Sequence, residues 1–507
     1  MKSSPHTTTL HHTTRTARIP TTAILFVLIA PITTFYYATY VFNVRNAGVT
    51  ELYILQLIAD SISMITVGTL WITILLDMLQ PEHNRRDILL DPTWITKSKP
   101  TIDVLVPVTS EPYDIIENTL QHVADITYPH TTYVLDDAGR ADIKELTEKL
   151  KMTYLSRPKD HTKRFAKSGN LNFGLQHAKG DYFAVFDADH APKKDFITSL
   201  LPFFINKKIA VVQTPQYYTN THEFIAQGTA YAQDIFYTYV QPAKNSFNAA
   251  FCVGTNMIYR RKAIDDIGGI AKQNHSEDIW TTILLHERGW ESLFDSRILA
   301  EGKAPSTLQA FIRQQNRLAR GGFTLFFHKN PLFIESLTLD QRLQYAFSNF
   351  HYFSGISILI YLFLPIISLF TGMQPMTQMQ SNAWLTHYVP FALIVYLLPY
   401  LLLKRIAVSM YATSLVSFIP YISAFISVVF KNKYEWVATE GKSSKEAPFI
   451  MTIWPIYLYL FLAAGSLLVG WYNPSDMGTV IMSSVWTCIH GYFLIQSLIH
   501  SKGASTL

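Results

Sequence analysis

Two aspartates, Asp187 and Asp189, follow the apolar run Tyr182-Phe183-Ala184-Val185. The run reads as a buried strand, so the loop after it aims two carboxylates at one spot. Such a pair suits a hard divalent cation, Mg²⁺ or Mn²⁺, that keeps some waters and takes its other ligands from substrate phosphates. A solvated Asp-x-Asp turn is the plain alternative, and further charged clusters around it argue against that. Lys167-Ser168-Gly169-Asn170 opens a helix, where dipole, backbone N–H groups and one point charge converge on an anion such as a diphosphate. Glu277 and Asp278 precede the helical run Ile279–Arg288. They are either first-turn acids that complement the helix dipole or a catalytic base. Gln314, Arg317 and Gly321 share one helical face. Arginine suits planar recognition of phosphate oxygens, and a basic helix against lipid head groups is the alternative. Asp136 and Asp137 end the strand Thr132-Tyr133-Val134-Leu135. Acids there line the crevice of an open α/β sheet and would hold a nucleoside base or ribose, or else make an Asp/Gly turn.

The elements that position these groups alternate. From Thr101, short apolar strands and helices follow one another, beginning with the strand Ile102–Pro107 and a helix near Ile115–Val123. That order argues for a mostly parallel sheet. Charge concentrates between Pro81 and Arg342, and the flanks are nearly uncharged. The pattern is a soluble domain set between membrane segments, with the lipid bilayer as partner and no nucleic acid. Cys252 and Cys488 fall in different regions, which excludes a disulfide framework or a Cys-based zinc site.

A spanning helix needs roughly 20 apolar residues. About six stretches meet that need: Ile24–Phe42, Leu52–Leu76, Ser348–Phe370, His387–Leu403, Phe449–Trp471 and Thr479–Ile499. Lys and Arg favour the cytosolic side. Arg85, Arg86, Lys404, Arg405 and Lys502 therefore place both termini and the central domain in the cytosol, in a plasma (inner) membrane. Ile406–Phe430 is apolar enough to cross, but basic residues flank both ends and Pro420 interrupts it. It is expected to be an interfacial or broken helix pair. The expected organisation is a disordered tail at 1–20, membrane helices at 21–80 and a cytosolic domain at 81–330. An interfacial helix at 331–347, membrane helices at 348–403, an interfacial helix and mobile loop at 404–447, and membrane helices at 448–507 complete it. Asp60 lies inside the second span, either as a packing or pore-lining group or as a proton carrier.

The order of motifs resembles the inverting family 2 glycosyltransferases and, among them, the bacterial cellulose synthases. The resemblance covers about Thr101 to Phe333. It rests on Asp136-Asp137, Lys167-Ser168-Gly169-Asn170, Phe186-Asp187-Ala188-Asp189-His190, Val212-Gln213-Thr214-Pro215, Phe251–Asn256, Ser276-Glu277-Asp278 and Gln314-x-x-Arg317. It implies an α/β GT-A-type domain inserted in an α-helical membrane domain. It also implies a UDP-sugar donor, a growing polysaccharide acceptor, Mg²⁺ or Mn²⁺, extrusion through the enzyme's own helices, and an accessory export subunit as a further partner. By that resemblance Asp136 and Asp137 bind uridine, and Lys167 helps hold the nucleotide. Asp187 and Asp189 hold metal and diphosphate. Asp278 is the base with Glu277 beside it, and Gln314 and Arg317 meet donor diphosphate and acceptor. Trp436–Lys442, with Thr439 and Lys442, resembles a gating loop, although their spacing is one residue wider than usual. Leu318 stands where the family has a tryptophan platform for the acceptor sugar. No PilZ domain is expected. The function this implies is polymerisation of UDP-glucose into an exported β-glucan. Another β-linked polysaccharide (hexosamine-containing or mixed-linkage) or non-processive transfer to a membrane lipid is the alternative. Tyr352, Phe353, Tyr396 and Tyr400 would stack on sugar rings along the path or simply pack helices.

Overall fold

The computed structural model describes residues 10–13, 21–79, 87–90, 93–158, 165–272, 276–377, 382–431, 449–474 and 476–502. Its strands, in chain order, are β1 (Leu10–Thr13), β2 (Asp87–Leu90), β3 (Ile102–Val108), β4 (Thr131–Asp136), β5 (Thr153–Leu155) and β6 (Tyr182–Val185). They continue with β7 (His190–Pro192), β8 (Ile209–Gln213), β9 (Tyr217–Tyr218), β10 (Met257–Arg260), β11 (Glu291–Phe294) and β12 (Ala300–Gly302). Seven of them form one sheet in the order β11-β8-β10-β6-β3-β4-β5. All neighbours are parallel except β10, which runs antiparallel to β6 and β8. The expected mostly parallel sheet is present.

Strand side chains alternate between faces, and both faces of this sheet are buried. Val104, Val106, Val134, Ala184 and Phe186 build the core on one side. Leu105, Leu135, Phe183 and Val185 build it on the other. Each large apolar side chain so buried contributes about 1.5–3 kcal/mol, so the central strands form a stiff base. Because β3, β4 and β6 are parallel, their carboxyl ends share one edge. Thr109–Glu111, Asp136–Asp137 and Asp187–Asp189 all emerge there.

The helices that matter here are α1 (Thr21–Val41), α2 (Thr50–Leu79), α3 (Ala166–His177), α4 (Glu277–Glu287) and α5 (Leu308–His328). After them come α6 (Ser354–Thr371), α7 (Asn382–Leu403), α8 (Val408–Val416), α9 (Phe418–Val429), α10 (Phe449–Tyr472) and α11 (Met477–Ile499). Seven helical runs among the described residues are long and apolar enough to cross a membrane. Six match the expected spans. The one containing α6 starts earlier, at Leu339, and takes in part of the expected interfacial helix. The seventh is Val408–Val429, half buried and divided at Ser417 into α8 and α9. It lies against α5: Asn316 Nδ2 donates to Pro420 O at 3.0 Å, and Tyr421 Oη donates to Gln315 Oε1 at 3.1 Å.

The N-terminal tail differs from expectation. Leu10–Thr13 form β1, which pairs antiparallel with β2 in register Leu10↔Leu90 to Thr13↔Asp87. The α1–α2 hairpin returns the chain to its starting side, so the two segments meet and complete each other's backbone hydrogen bonds.

Candidate active site

The acid pair leaves β6 into a rigid loop. Asp187 N–H donates to Thr255 Oγ1 at 2.9 Å, and Phe186 below it is fully buried. Asp189 Oδ1 lies 2.7 Å from His190 Nδ1. Burial works against the charge on Asp189, and His190 outweighs it, holding that carboxyl below its ordinary range. Ligand atoms of Asp187, Asp189 and His190 all fall within 4.8 Å of one another. Two carboxylates and an imidazole at that spacing fit Mg²⁺ or Mn²⁺, with positions left for water and phosphate oxygens.

Lys167, on the first turn of α3, turns its ammonium toward these acids. It pairs with Asp187, donates to Gly254 O at 2.8 Å and lies 4.0 Å from Glu277. Burial alone would lower its pKa, but Asp187 and Glu277 reverse that and raise it. Lys167 is therefore a fixed cation inside the acid cluster, not a free group at a helix end. Gly254 makes this approach possible. Its φ is +89°, and a Cβ there would sit 3.3 Å from Lys167 Nζ and 3.5 Å from Asp278 Oδ2.

Glu277 and Asp278 form the first turn of α4. Burial, then Glu277, pushes the Asp278 carboxyl up to about 7. Burial also raises Glu277, with Lys167 opposing. A carboxyl near neutrality beside a pocket suits general-base work. In that first turn Asp278 Oδ1 accepts from Ile279 N–H at 2.8 Å.

Helix α5 supplies the third wall. Thr307 caps it, its Oγ1 accepting from Ala310 N–H at 3.2 Å. Gln314, Arg317 and Leu318 then line a cavity of about 1610 Å³ together with Asp137, Lys167, Asp187, Asp189, Glu277 and Asp278. Gly321 lies against Ser276, the residue before Glu277, so closely that a Cβ would collide with the serine side chain. Gly321→Ala should displace the start of α4 and lower transfer at least tenfold while leaving donor affinity near its starting value. Unchanged turnover would mean that Ser276 yields without moving Asp278.

The two aspartates at the end of β4 part company. Asp137 lines the cavity and is clamped by Arg157, whose Nε and Nη2 donate to its two oxygens at 2.6 and 2.5 Å. Asp136 is fully buried. Its Oδ1 accepts from Ala138 N–H at 2.8 Å, and its Oδ2 accepts from Arg140 N–H at 2.6 Å and Tyr154 Oη at 2.8 Å. With both oxygens so engaged it holds the loop that presents Asp137, and it is not among the residues that line the cavity. Thr439 and Lys442 lie outside the described residues.

Sequence reasoning missed Glu111, which lines the cavity after β3. Burial pushes its carboxyl up to about 7, with Asp189 and Asp187 adding to the effect. An acid just past a strand's carboxyl end was the available signal. Arg157 gave none, because its partner lies in another loop.

Residues 103–268 match the family model "Glycosyl transferase family 2", and residues 264–432 match "Cellulose synthase". The sheet domain is thus similar to family 2 glycosyltransferases. Similar curated proteins include the UDP-forming cellulose synthase catalytic subunit of Pseudomonas fluorescens, 30% identical over 61% of this chain and 42% of that protein. The corresponding subunit of Komagataeibacter sucrofermentans is 27% identical over 73% of this chain and 51% of that protein. The chain thus spans about half the length of these relatives. Among solved structures, a mannosyltransferase from Pyrobaculum calidifontis, in complex with GDP-Man and Mn²⁺, covers 75% of this chain and all of its own. Its TM-score is 0.55 at 15% identity, a likeness of fold. The region similar to family 2 glycosyltransferases is thus followed by one similar to cellulose synthase, which runs into the long apolar helices.

Proposed function

We propose that this chain is a membrane-embedded inverting glycosyltransferase that polymerises sugar from UDP-glucose into a β-linked glucan and passes it across the plasma membrane. The observation that carries the reading is the shape of the cavity. From Asp187, Asp189 and Asp278 it runs past Leu318, Tyr352 and Tyr421 to Thr66 of α2, Ile358 of α6 and Tyr396 of α7. Donor site and membrane helices therefore line one space. Of the four aromatics weighed between sugar stacking and helix packing, Tyr352 and Tyr396 line it, and Phe353 and Tyr400 are not among its lining residues.

The chemistry follows from the residues. Asp278 takes the proton of the acceptor hydroxyl as that oxygen bonds to the anomeric carbon. The bond to the diphosphate oxygen breaks in the same displacement, which inverts an α-linked donor to a β-linked product. Lys167 and Arg317 offset charge on the departing diphosphate. Asp137, held by Arg157, faces the nucleoside. A bound Mg²⁺ or Mn²⁺ at Asp187 and Asp189 would supply further charge neutralisation of the diphosphate.

Leu318 favours a second product. Leucine keeps burial but lacks the flat face on which sugar rings stack, so a different β-linked polysaccharide, hexosamine-containing or mixed-linkage, is the alternative. The test is incorporation of labelled UDP-glucose by purified protein in lipid vesicles with Mg²⁺ or Mn²⁺, followed by size and linkage analysis. A long β-glucan is the expected result. Only short or lipid-linked product would favour a non-processive enzyme, and turnover of a UDP-hexosamine in place of UDP-glucose would favour the second polymer.

A further inference from the structure

Asp60 is 3% exposed and lies within α2. It sits outward of Thr66, where the cavity's lining on α2 ends, by about 9 Å at 1.5 Å rise per residue. Its carboxylate gathers neutral donors from three helices. Tyr361 Oη of α6 donates at 2.6 Å, Gln56 Nε2 of α2 at 2.8 Å and Tyr37 Oη of α1 at 3.2 Å. One residue away, Ala59 O accepts from Ser357 Oγ of α6 at 2.9 Å. The fourth side is α7, where the Tyr37 ring stacks on Phe391 at 5.0 Å and meets Tyr388 edge-on at 5.5 Å. Three of these helices, α2, α6 and α7, are the ones that line the cavity just inward. The hub therefore ties these helices together beyond the cavity's lining residues.

A carboxylate at this depth is costly, and a neutral amide could join the same helices at lower cost. What a carboxylate adds is acceptor capacity at about four lone-pair sites and no donor of its own. Tyr37 and Tyr361 are donors that can leave, and a hexose ring arrives carrying hydroxyl donors. Exchanging phenol for sugar hydroxyl keeps the carboxylate bonded throughout, while the freed phenol rings offer apolar faces to the sugar.

We propose that Asp60 with Tyr37 and Tyr361 is the outward gate of the cavity and a binding subsite for a neutral hexose ring. Sugar hydroxyls replace the two phenols as donors and so open the helices. The inference rests on the translocating reading above.

The test uses full-length protein in vesicles with the catalytic domain outward, labelled UDP-glucose and metal. External β-glucanase separates lumenal from outside product. Asp60→Asn should cut lumenal polymer at least tenfold and accumulate short product outside, with UDP-glucose affinity within twofold of the unaltered protein. Tyr361→Phe, which keeps the ring and removes the donor, should shift the same ratio severalfold with an unchanged unfolding temperature. Wild-type ratios of lumenal to short product in both variants would overturn the gate, as would proportional loss of both products with a lowered unfolding temperature, the mark of a packing knot. If the unaltered protein itself delivers no lumenal polymer, the translocating reading fails and takes the gate with it. That failure is told apart by the wild-type arm.

Discussion

Replacing Asp278 with Asn is expected to lower sugar transfer by about 10²–10⁴-fold, the usual contribution of a positioned general base. The substitution keeps size and leaves one oxygen to accept from Ile279 N–H, which Asp278 Oδ1 already does at 2.8 Å. The fold of the α4 start should survive, and donor affinity should stay within about twofold. The pH profile gives a second handle. Burial and Glu277 place the Asp278 carboxyl at about 7, and only the carboxylate takes a proton. Transfer should therefore rise with pH through about 7 and level above it. The rising limb should vanish from the residual activity of the Asn variant. Single-turnover rates across that range, with donor binding measured alongside, check both points. Substantial turnover by the variant would remove Asp278 from the base role.

The second large effect is expected from Asp189→Ala. Among the described residues, Asp187, Asp189 and His190 are the group whose ligand atoms converge tightly enough for a cation. Asp187 already pairs with Lys167, whereas the partner of Asp189 is His190, which it orients. Its loss should weaken UDP-glucose binding by tenfold or more in the presence of Mn²⁺, at least about 1.4 kcal/mol. Binding should then become indifferent to chelation. Calorimetric titration of UDP-glucose with and without Mn²⁺ reads this without any turnover. Affinity that remained high and metal-dependent would move the cation site elsewhere.

Much of this was legible in the residues because it is local. The run from Tyr182 to Val185 forms a strand for its own reasons, and the acids behind it must then emerge at the sheet's edge. Glu277 and Asp278 begin a helix because the apolar run after them makes one, without a side-chain cap from Ser276. What was not legible depends on partners far along the chain. Asp136 and Asp137 look alike in sequence, yet Tyr154 captures one and Arg157 the other, so one becomes scaffold and the other faces the cavity. Lys167 reads as a free cation at a helix start, and only the fold shows Asp187 and Gly254 drawing its ammonium into the acid cluster. The segment from 406 to 430 was ambiguous because charge at both ends and apolar length point different ways. Its place is decided by contacts with α5 that no periodicity encodes.

The contact between Gly321 and Ser276 bears on where one machine ends and the next begins. Drawn along the chain, a boundary near residue 330 separates a soluble enzyme from its membrane support. Drawn through the contacts, that boundary disappears. Asp278 is held by the start of α4, which rests on bare backbone of α5, and α5 leans in turn on Pro420 and Tyr421 of α9. Gly322, the next residue, lies directly beneath Tyr352, at the entry to α6. The carboxyl proposed as the base is thus registered against the long apolar helices through two adjacent glycines. A fragment cut at residue 330 would keep the charged cavity residues from Glu111 to Arg317 and lose the contacts with Tyr352, Pro420 and Tyr421 against which α5 is set.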